Sequence, residues 1–288
     1  MIKKLSMFAL ALAFSATLQA KVTKNQLPYV HYINLPVQVT EEIQLDIGAQ
    51  LRIPRDAEGP MPAVIILHSS GGVDSTGAFY AKRLNKAGFA TLELDMWGGR
   101  GLTGGTSDRP SSPHETLADA YTALAYLAQR PDIDANKIAV MGFSWGGIVS
   151  LLTATQQYDA IANLPFKFAA HIAHYPVCYG YNNIPGFEFQ NLTGAPVLIQ
   201  SAELDGYDFP GACPFMVSQI PQMDQQYVEV VEYQGVQHTW DRLEPAIVIE
   251  DPFANLGQGG EVQLAPDTYT ARKSRRKVVR FLKNVFAD

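Results

Sequence analysis

From Pro62 onward, short continuous apolar runs alternate with helix-length segments, and this alternation constrains the fold more than any other feature of the chain. Ala63-Val64-Ile65-Ile66-Leu67 and Phe89–Leu94 read as strands buried on both faces, and Lys137–Phe143, Phe168–Tyr175, Val197–Ser201 and Tyr227–Tyr233 as further strands. Between and after them lie predicted helices at 78–87 (stopped by Gly88), 114–129 (Leu117, Tyr121, Leu124 and Leu127 at helical spacing), 146–156 and 268–286. Such a succession requires crossover connections, and hence a mostly parallel sheet covered by helices on both faces. Residues 29–39 and 43–53 alternate in polarity and add antiparallel strands at the start, so the fold class is α/β with a mixed sheet. Residues 244–266 fit no βα unit and form an insertion on the loop side, between the last strand and the last helix. No linker divides the chain, which reads as one domain over residues 21–288.

Composition narrows the classes further. With 47% apolar and 17% charged residues in 288, the chain can bury a large core and is not disordered. The formal charge of −6 leaves no basic tract suited to nucleic acid. The one dense run, Arg272, Lys273, Arg275, Arg276 and Lys277, fits the solvated face of a helix. Residues 1–20 join Lys3 and Lys4 to an apolar stretch from Leu5 to Leu18 and end at Ala20, the pattern of a removed export signal. That stretch is short of the ~20 residues a spanning helix needs. The expectation is a periplasmic or secreted protein with no membrane segment. Neither nucleotide fingerprints nor a spaced metal-ligand set stands in the sequence, so no cofactor and no metal are expected.

The predicted strand 137–143 runs directly into Gly142-Phe143-Ser144-Trp145-Gly146-Gly147, a G-x-S-x-G at a strand-to-helix turn. The chemistry of a serine nucleophile needs the hydroxyl raised on a sharp turn, with small residues on either side so that the backbone can bend. Serine is a weak nucleophile at neutral pH and needs a base, which in turn needs an orienting acid. Chain order in such sheets is Ser, acid, His. Of His31, His68, His114, His171, His174 and His238, only His238 follows both Ser144 and the strands able to present an acid. Asp205, in Leu204-Asp205-Gly206, is the leading acid, with Asp208 and Glu203 as alternatives. The oxyanion donors would be the Trp145 N–H and the N–H of Ser70, with Ser69 as fallback. His68 reads as a residue that fixes this loop.

Together with Asp95-Met96-Trp97-Gly98-Gly99-Arg100 and His238-Thr239-Trp240-Asp241-Arg242, these motifs resemble the dienelactone hydrolase family of α/β-hydrolases, over roughly Pro62 to His238 plus the last helix. The resemblance implies an α/β-hydrolase fold with a single triad. Family members that open dienelactones use Cys where this chain has Ser144, and carry Glu where it has Ser69, so the expected activity is ordinary serine hydrolysis of carboxylic esters or lactones through an acyl-enzyme. An acyltransferase, a peptidase or a non-catalytic binding protein on the same scaffold are the alternatives. The resemblance also implies a clamp for a substrate carboxylate at Arg100 and Arg242, with Trp97 beside it, and hence a small ester substrate with a possible negative charge. The same alignment places Cys178 and Cys213 in neighbouring loops at one edge of the sheet, where they would pair as a disulfide.

Overall fold

The structure, a computed structural model, describes residues 27–55 and 59–287. The export-signal segment 1–20 lies outside these residues. Among the described residues there are ten strands: β1 (Tyr29–Gln38), β2 (Gln44–Ile53), β3 (Met61–Leu67), β4 (Ala90–Asp95), β5 (Ile133–Phe143), β6 (Ala170–His174), β7 (Val197–Leu204), β8 (Val228–Gln237), β9 (Ile247–Asp251) and β10 (Gly260–Leu264). The first eight form one sheet in the order β1-β2-β4-β3-β5-β6-β7-β8. β1, β2 and β4 pair antiparallel, and β4 through β8 pair parallel. This is the expected mixed sheet and the α/β-hydrolase architecture. Because strand order reverses between β4-β3 and β5, the loops after β3 and β5 face one another at the carboxyl edge, where α/β sheets place ligands.

The central strands are largely apolar because helices cover both of their faces. In β3, Ala63, Ile65 and Leu67 pack into one core, and Val64 and Ile66 into the other. Ile138 and Val140 of β5 face the first core, while Ala139, Met141 and Phe143 face the second. The first core is closed by α2 (Leu117–Ala128) and α3 (Trp145–Leu152), the second by α1 (Ser75–Lys86) and the C-terminal helix Thr268–Val285. Ala271, Val278, Phe281 and Leu282 of that last helix point inward, and Arg272, Lys273 and Arg276 are exposed, as the periodicity requires.

One element differs from the sequence expectation. The predicted helix 146–156 is split into α3 and α4 (Gln156–Ala162). Thr153 and Thr155 hydroxyls donate back to the carbonyls of Ser150 and Leu152, which ends α3 within two turns. The 244–266 insertion, which fits no βα unit, holds two strands of its own: β9 and β10 pair as an antiparallel hairpin. Its return strand lies beside the loop bearing His238, through a bridge between His238 and Leu264.

Candidate active site

Ser144 stands between β5 and α3 with φ 49° and ψ −109°, a left-handed conformation that an L-residue adopts at a cost. The turn holds because its flanks are glycines. A Cβ on Gly142 would lie 1.9 Å from the Gly146 carbonyl oxygen, and one on Gly146 would lie 2.3 Å from the Leu67 carbonyl oxygen. The backbone is further fixed by Ser144 N–H donating to the His174 carbonyl (2.9 Å) and Gly146 N–H to the His68 carbonyl (3.1 Å). The N-terminus of α3 therefore faces the loop after β3, and Trp145 N–H is the first of its unpaired donors.

The three distant residues singled out in the sequence converge here. His238 Nε2 lies 3.0 Å from Ser144 Oγ, and His238 Nδ1 lies 2.7 Å from Asp205 Oδ2. All three side chains are buried. Asp205 Oδ1 accepts from Tyr207 N–H at 3.0 Å, which fixes the carboxylate plane. The imidazole packs edge-on between the rings of Tyr175 and Tyr207, with centroids at 4.6 and 4.7 Å. Tyr175 is held from behind by its hydroxyl donating to Asp241 (2.7 Å), a fully buried carboxyl that also accepts from Tyr80. Burial pushes Asp241 up to about 6.

The two other acids after β7 have different roles. Glu203 accepts from Gly235 N–H in the strand leading to His238. Asp208 accepts from the N–H groups of Cys178 (2.6 Å) and Tyr179 (2.8 Å), so it caps the turn Cys178–Gly180. Burial first, and then the nearby Asp205 charge, raise Asp208 to about 7.

The loop after β3 is organised by His68. Its Nδ1 lies 2.7 Å from the Ser69 carbonyl, and its Nε2 accepts from Met96 N–H at 2.9 Å, which sets a neutral Nδ1–H tautomer. Burial lowers its pKa to about 4, in keeping with that state. The Ser69 carbonyl also accepts from Gly72 N–H. Because the peptide is trans, a Ser69 carbonyl bound on that side turns the Ser70 N–H the opposite way. Ser70 lines the same cleft as Ser144 and Trp145.

The expected carboxylate clamp is not formed where the resemblance put it. Arg100 is engaged bidentately by Asp119 (2.7 and 2.9 Å) and donates to the Met96 and Glu115 carbonyls. It compensates a fully buried carboxyl at the start of α2 and does not line the cleft. Arg242 lies 3.3 Å from Glu244 and 3.9 Å from Asp74, beside the start of α1, and is likewise absent from the cleft wall. Trp97 lies behind the wall: its Nε1 donates to the Ser70 carbonyl (3.0 Å) and its ring meets Trp145 edge-on at 5.4 Å.

The cleft is open to solvent at its mouth. Its walls are mostly apolar and aromatic: Trp145, Ile148, Tyr179, Tyr181, Phe187, Tyr207 and Phe253. Arg109, Tyr207 and Phe253 were not legible in the sequence. Tyr207 stands two residues after Asp205, a position that could have drawn attention. Nothing local marks Arg109, whose partner Asp251 is 142 residues away in the insertion.

Cys178 and Cys213 form a disulfide, with Cα atoms 5.0 Å apart. Among the described residues, the donors close enough to share a metal are these two sulfurs and Asp208, and both sulfurs are committed to each other. The bridge ties the turn bearing Tyr179 and Tyr181 to α5 (Ala212–Gln219). Opening it releases a 35-residue span, worth about 4 kcal/mol. Reduction, or Cys178→Ser with Cys213→Ser, is expected to lower Tm by roughly 10 °C. It should raise KM more than it lowers kcat, because it loosens the aromatic wall and leaves the triad. A scanning-fluorimetry and kinetics pair checks both.

The sequence profile of the dienelactone hydrolase family matches residues 47–286. The chain belongs to the dienelactone hydrolase family. A cutinase of Thermobifida alba, est2, is 31% identical over 139 residues, covering 45% of this chain and 44% of that protein. The matched stretches span about half or less of the curated relatives' lengths. Among solved structures, the hyperthermophilic esterase of Pyrobaculum calidifontis superposes with a TM-score of 0.62 at 18% identity, covering 91% of this chain and 88% of that one. Thermogutta terrifontis esterase 2, phosphorylated by paraoxon, superposes with a TM-score of 0.61 at 14% identity over 91% and 96%. These superpositions establish the shared fold.

His171 sits inside β6 with Nδ1 3.1 Å from the Ser150 carbonyl. Burial lowers its pKa from 6.5 to about 3. The unfolded chain therefore binds more protons between those values, and stability falls as pH drops through that window. His171→Asn keeps a donor for Ser150 and loses this dependence. The stability advantage of wild type over the variant, measured by urea unfolding, is expected to shrink between pH 7 and pH 4.5.

Proposed function

We propose that this member of the dienelactone hydrolase family is an exported serine hydrolase of small carboxylic esters, working through an acyl-enzyme. The observation that carries the reading is His238 standing within hydrogen-bond reach of both Ser144 Oγ (3.0 Å) and Asp205 Oδ2 (2.7 Å). In this reading Ser144 Oγ attacks the acyl carbon while His238 Nε2 takes the hydroxyl proton. Asp205 holds Nδ1–H and stabilises the imidazolium. The Trp145 and Ser70 N–H groups receive the oxyanion, each supplying on the order of 3 kcal/mol. The tetrahedral intermediate collapses, the C–O bond breaks, and the departing alkoxide takes the proton from His238. Water then attacks the acyl carbon, gives its proton to His238, and the acid leaves as Ser144 recovers its hydrogen.

The cutinase and esterase names among the similar proteins support the ester class. Export is supported by residues 1–20 and by the disulfide, a bond that persists in oxidising compartments. No helix among the described residues is long and apolar enough to cross a membrane. The test is a fluorophosphonate probe, followed by peptide mass spectrometry: labelling at Ser144 is expected, and an unlabelled protein of intact fold would end the proposal.

A further inference from the structure

Arg109 is the one charged side chain among the described residues lining the cleft. It reaches in from the loop between β4 and α2, and its guanidinium stands 5.3 Å from the Phe253 ring centroid and 6.0 Å from that of Trp145. Its Nη2 donates to both oxygens of Asp251, at 2.9 and 3.0 Å. Asp251 is 1% exposed and also accepts from the Tyr207 hydroxyl (2.8 Å) and from Phe253 N–H (2.9 Å). The hairpin formed by the insertion thus holds Arg109 through the same carboxylate that holds Tyr207, the ring that packs on His238.

Two consequences follow from this arrangement. The first concerns donors. Among the described residues, Arg109 Nε and Nη1 have no acceptor, and neither atom is among the sealed, unpartnered polar atoms of the interior. A fixed guanidinium fork therefore retains N–H donors open to the cleft. The second concerns charge. Asp251 compensates the guanidinium, so Arg109 offers an anion little unpaired charge. The site is built to give hydrogen bonds to a neutral oxygen, within walls that suit a flat apolar group.

The geometry points to Arg109 as a specificity residue of this cleft, one that selects neutral aromatic esters carrying a second oxygen acceptor, and not carboxylate-bearing ones. This rests on the ester-hydrolase reading and extends it to the substrate class. It also replaces the Arg100 and Arg242 clamp with a different residue and the opposite charge preference.

The experiment uses methyl benzoates bearing hydrogen, methoxy, acetyl or carboxylate at the meta or para position, with wild type, Arg109→Lys, Arg109→Met, Asp251→Asn and the Arg109→Met/Asp251→Asn pair. Wild type is expected to give the highest kcat/KM for an acetyl or methoxy ester and the lowest for the carboxylate ester. Arg109→Lys keeps a cation beside Asp251 but loses the planar fork, and should reduce the preference for the acceptor-bearing ester about tenfold. Arg109→Met should do the same, and the double variant reports that loss without leaving Asp251 buried and unpaired. Asp251→Asn uncovers the guanidinium charge and should raise kcat/KM for the carboxylate ester about tenfold relative to the unsubstituted one. Equal losses on all four esters, or a wild-type preference for the carboxylate ester, would overturn the inference. Ser144 labelled by fluorophosphonate with none of these esters cleaved would also overturn it, while leaving the triad reading standing. Absence of labelling would remove both.

Discussion

Ser144→Ala is expected to lower kcat for ester hydrolysis by a factor of about 10⁶ while leaving the folded state unchanged. The loss is that large because the hydroxyl is the group that forms the covalent bond, and neither His238 nor the oxyanion donors replace it. The fold survives because the turn is held by backbone contacts. Ser144 N–H still donates to the His174 carbonyl, Ile148 N–H still donates to the Ser144 carbonyl, and alanine meets the same left-handed strain as serine. Thermal unfolding within a degree of wild type, together with loss of turnover and of fluorophosphonate labelling, is the expected pair of results. Residual turnover within tenfold of wild type would place the nucleophile elsewhere. His238→Ala should cost nearly as much and should not add to Ser144→Ala, since the two groups act as one unit.

The second large effect is expected from Gly142→Ala, a substitution that touches no reacting atom. The new methyl carbon would lie 1.9 Å from the Gly146 carbonyl oxygen and 2.6 Å from the Gly147 nitrogen, both in the first turn of α3. No side-chain rotation relieves a clash between backbone atoms, so β5 and α3 must separate, and Ser144 lies between them. A loss of about 3 kcal/mol or more is expected, seen as a Tm lower by roughly 10 °C, with activity falling beyond what the stability change explains. Gly101→Ala is the comparison. Gly101 has φ 68° and nothing within 4 Å, so it should lose only about 1 kcal/mol, from the left-handed backbone alone. If the two variants behaved alike in both assays, close approach of β5 and α3 would not be what the turn requires.

What was visible in the chain was local chemistry with a fixed place in a strand–turn–helix unit: Gly142-Phe143-Ser144-Trp145-Gly146 after a buried strand, Asp205 after the next but one, His238 after the last. Their types and order imply one another, because a serine needs a base and the base needs an acid. The disulfide was visible by the same logic, since neighbouring parallel strands bring their exit loops to one edge. The splitting of 146–156 into two helices was not visible: apolar periodicity continues across Thr153 and Thr155, and only the packing shows their hydroxyls turned back onto the backbone.

The substrate wall was misread for a related reason. Arg100 and Arg242 stand in the right motifs, but Arg100 goes to the fully buried carboxylate of Asp119, and Arg242 pairs with the half-exposed Glu244 beside the start of α1. Arg109, in a glycine- and serine-rich loop, carries no local mark, and its orientation depends on a carboxylate in a hairpin that follows no βα pattern. The chain alone therefore determined the sheet, the strained serine turn and the identity of the three triad candidates, because each follows from periodicity or from chemistry confined to a few adjacent residues. Which arginine faces the cleft, with what charge around it and between which aromatic rings, was decided by the tertiary structure, because ion pairing and desolvation act between residues that only folding brings within 3 Å.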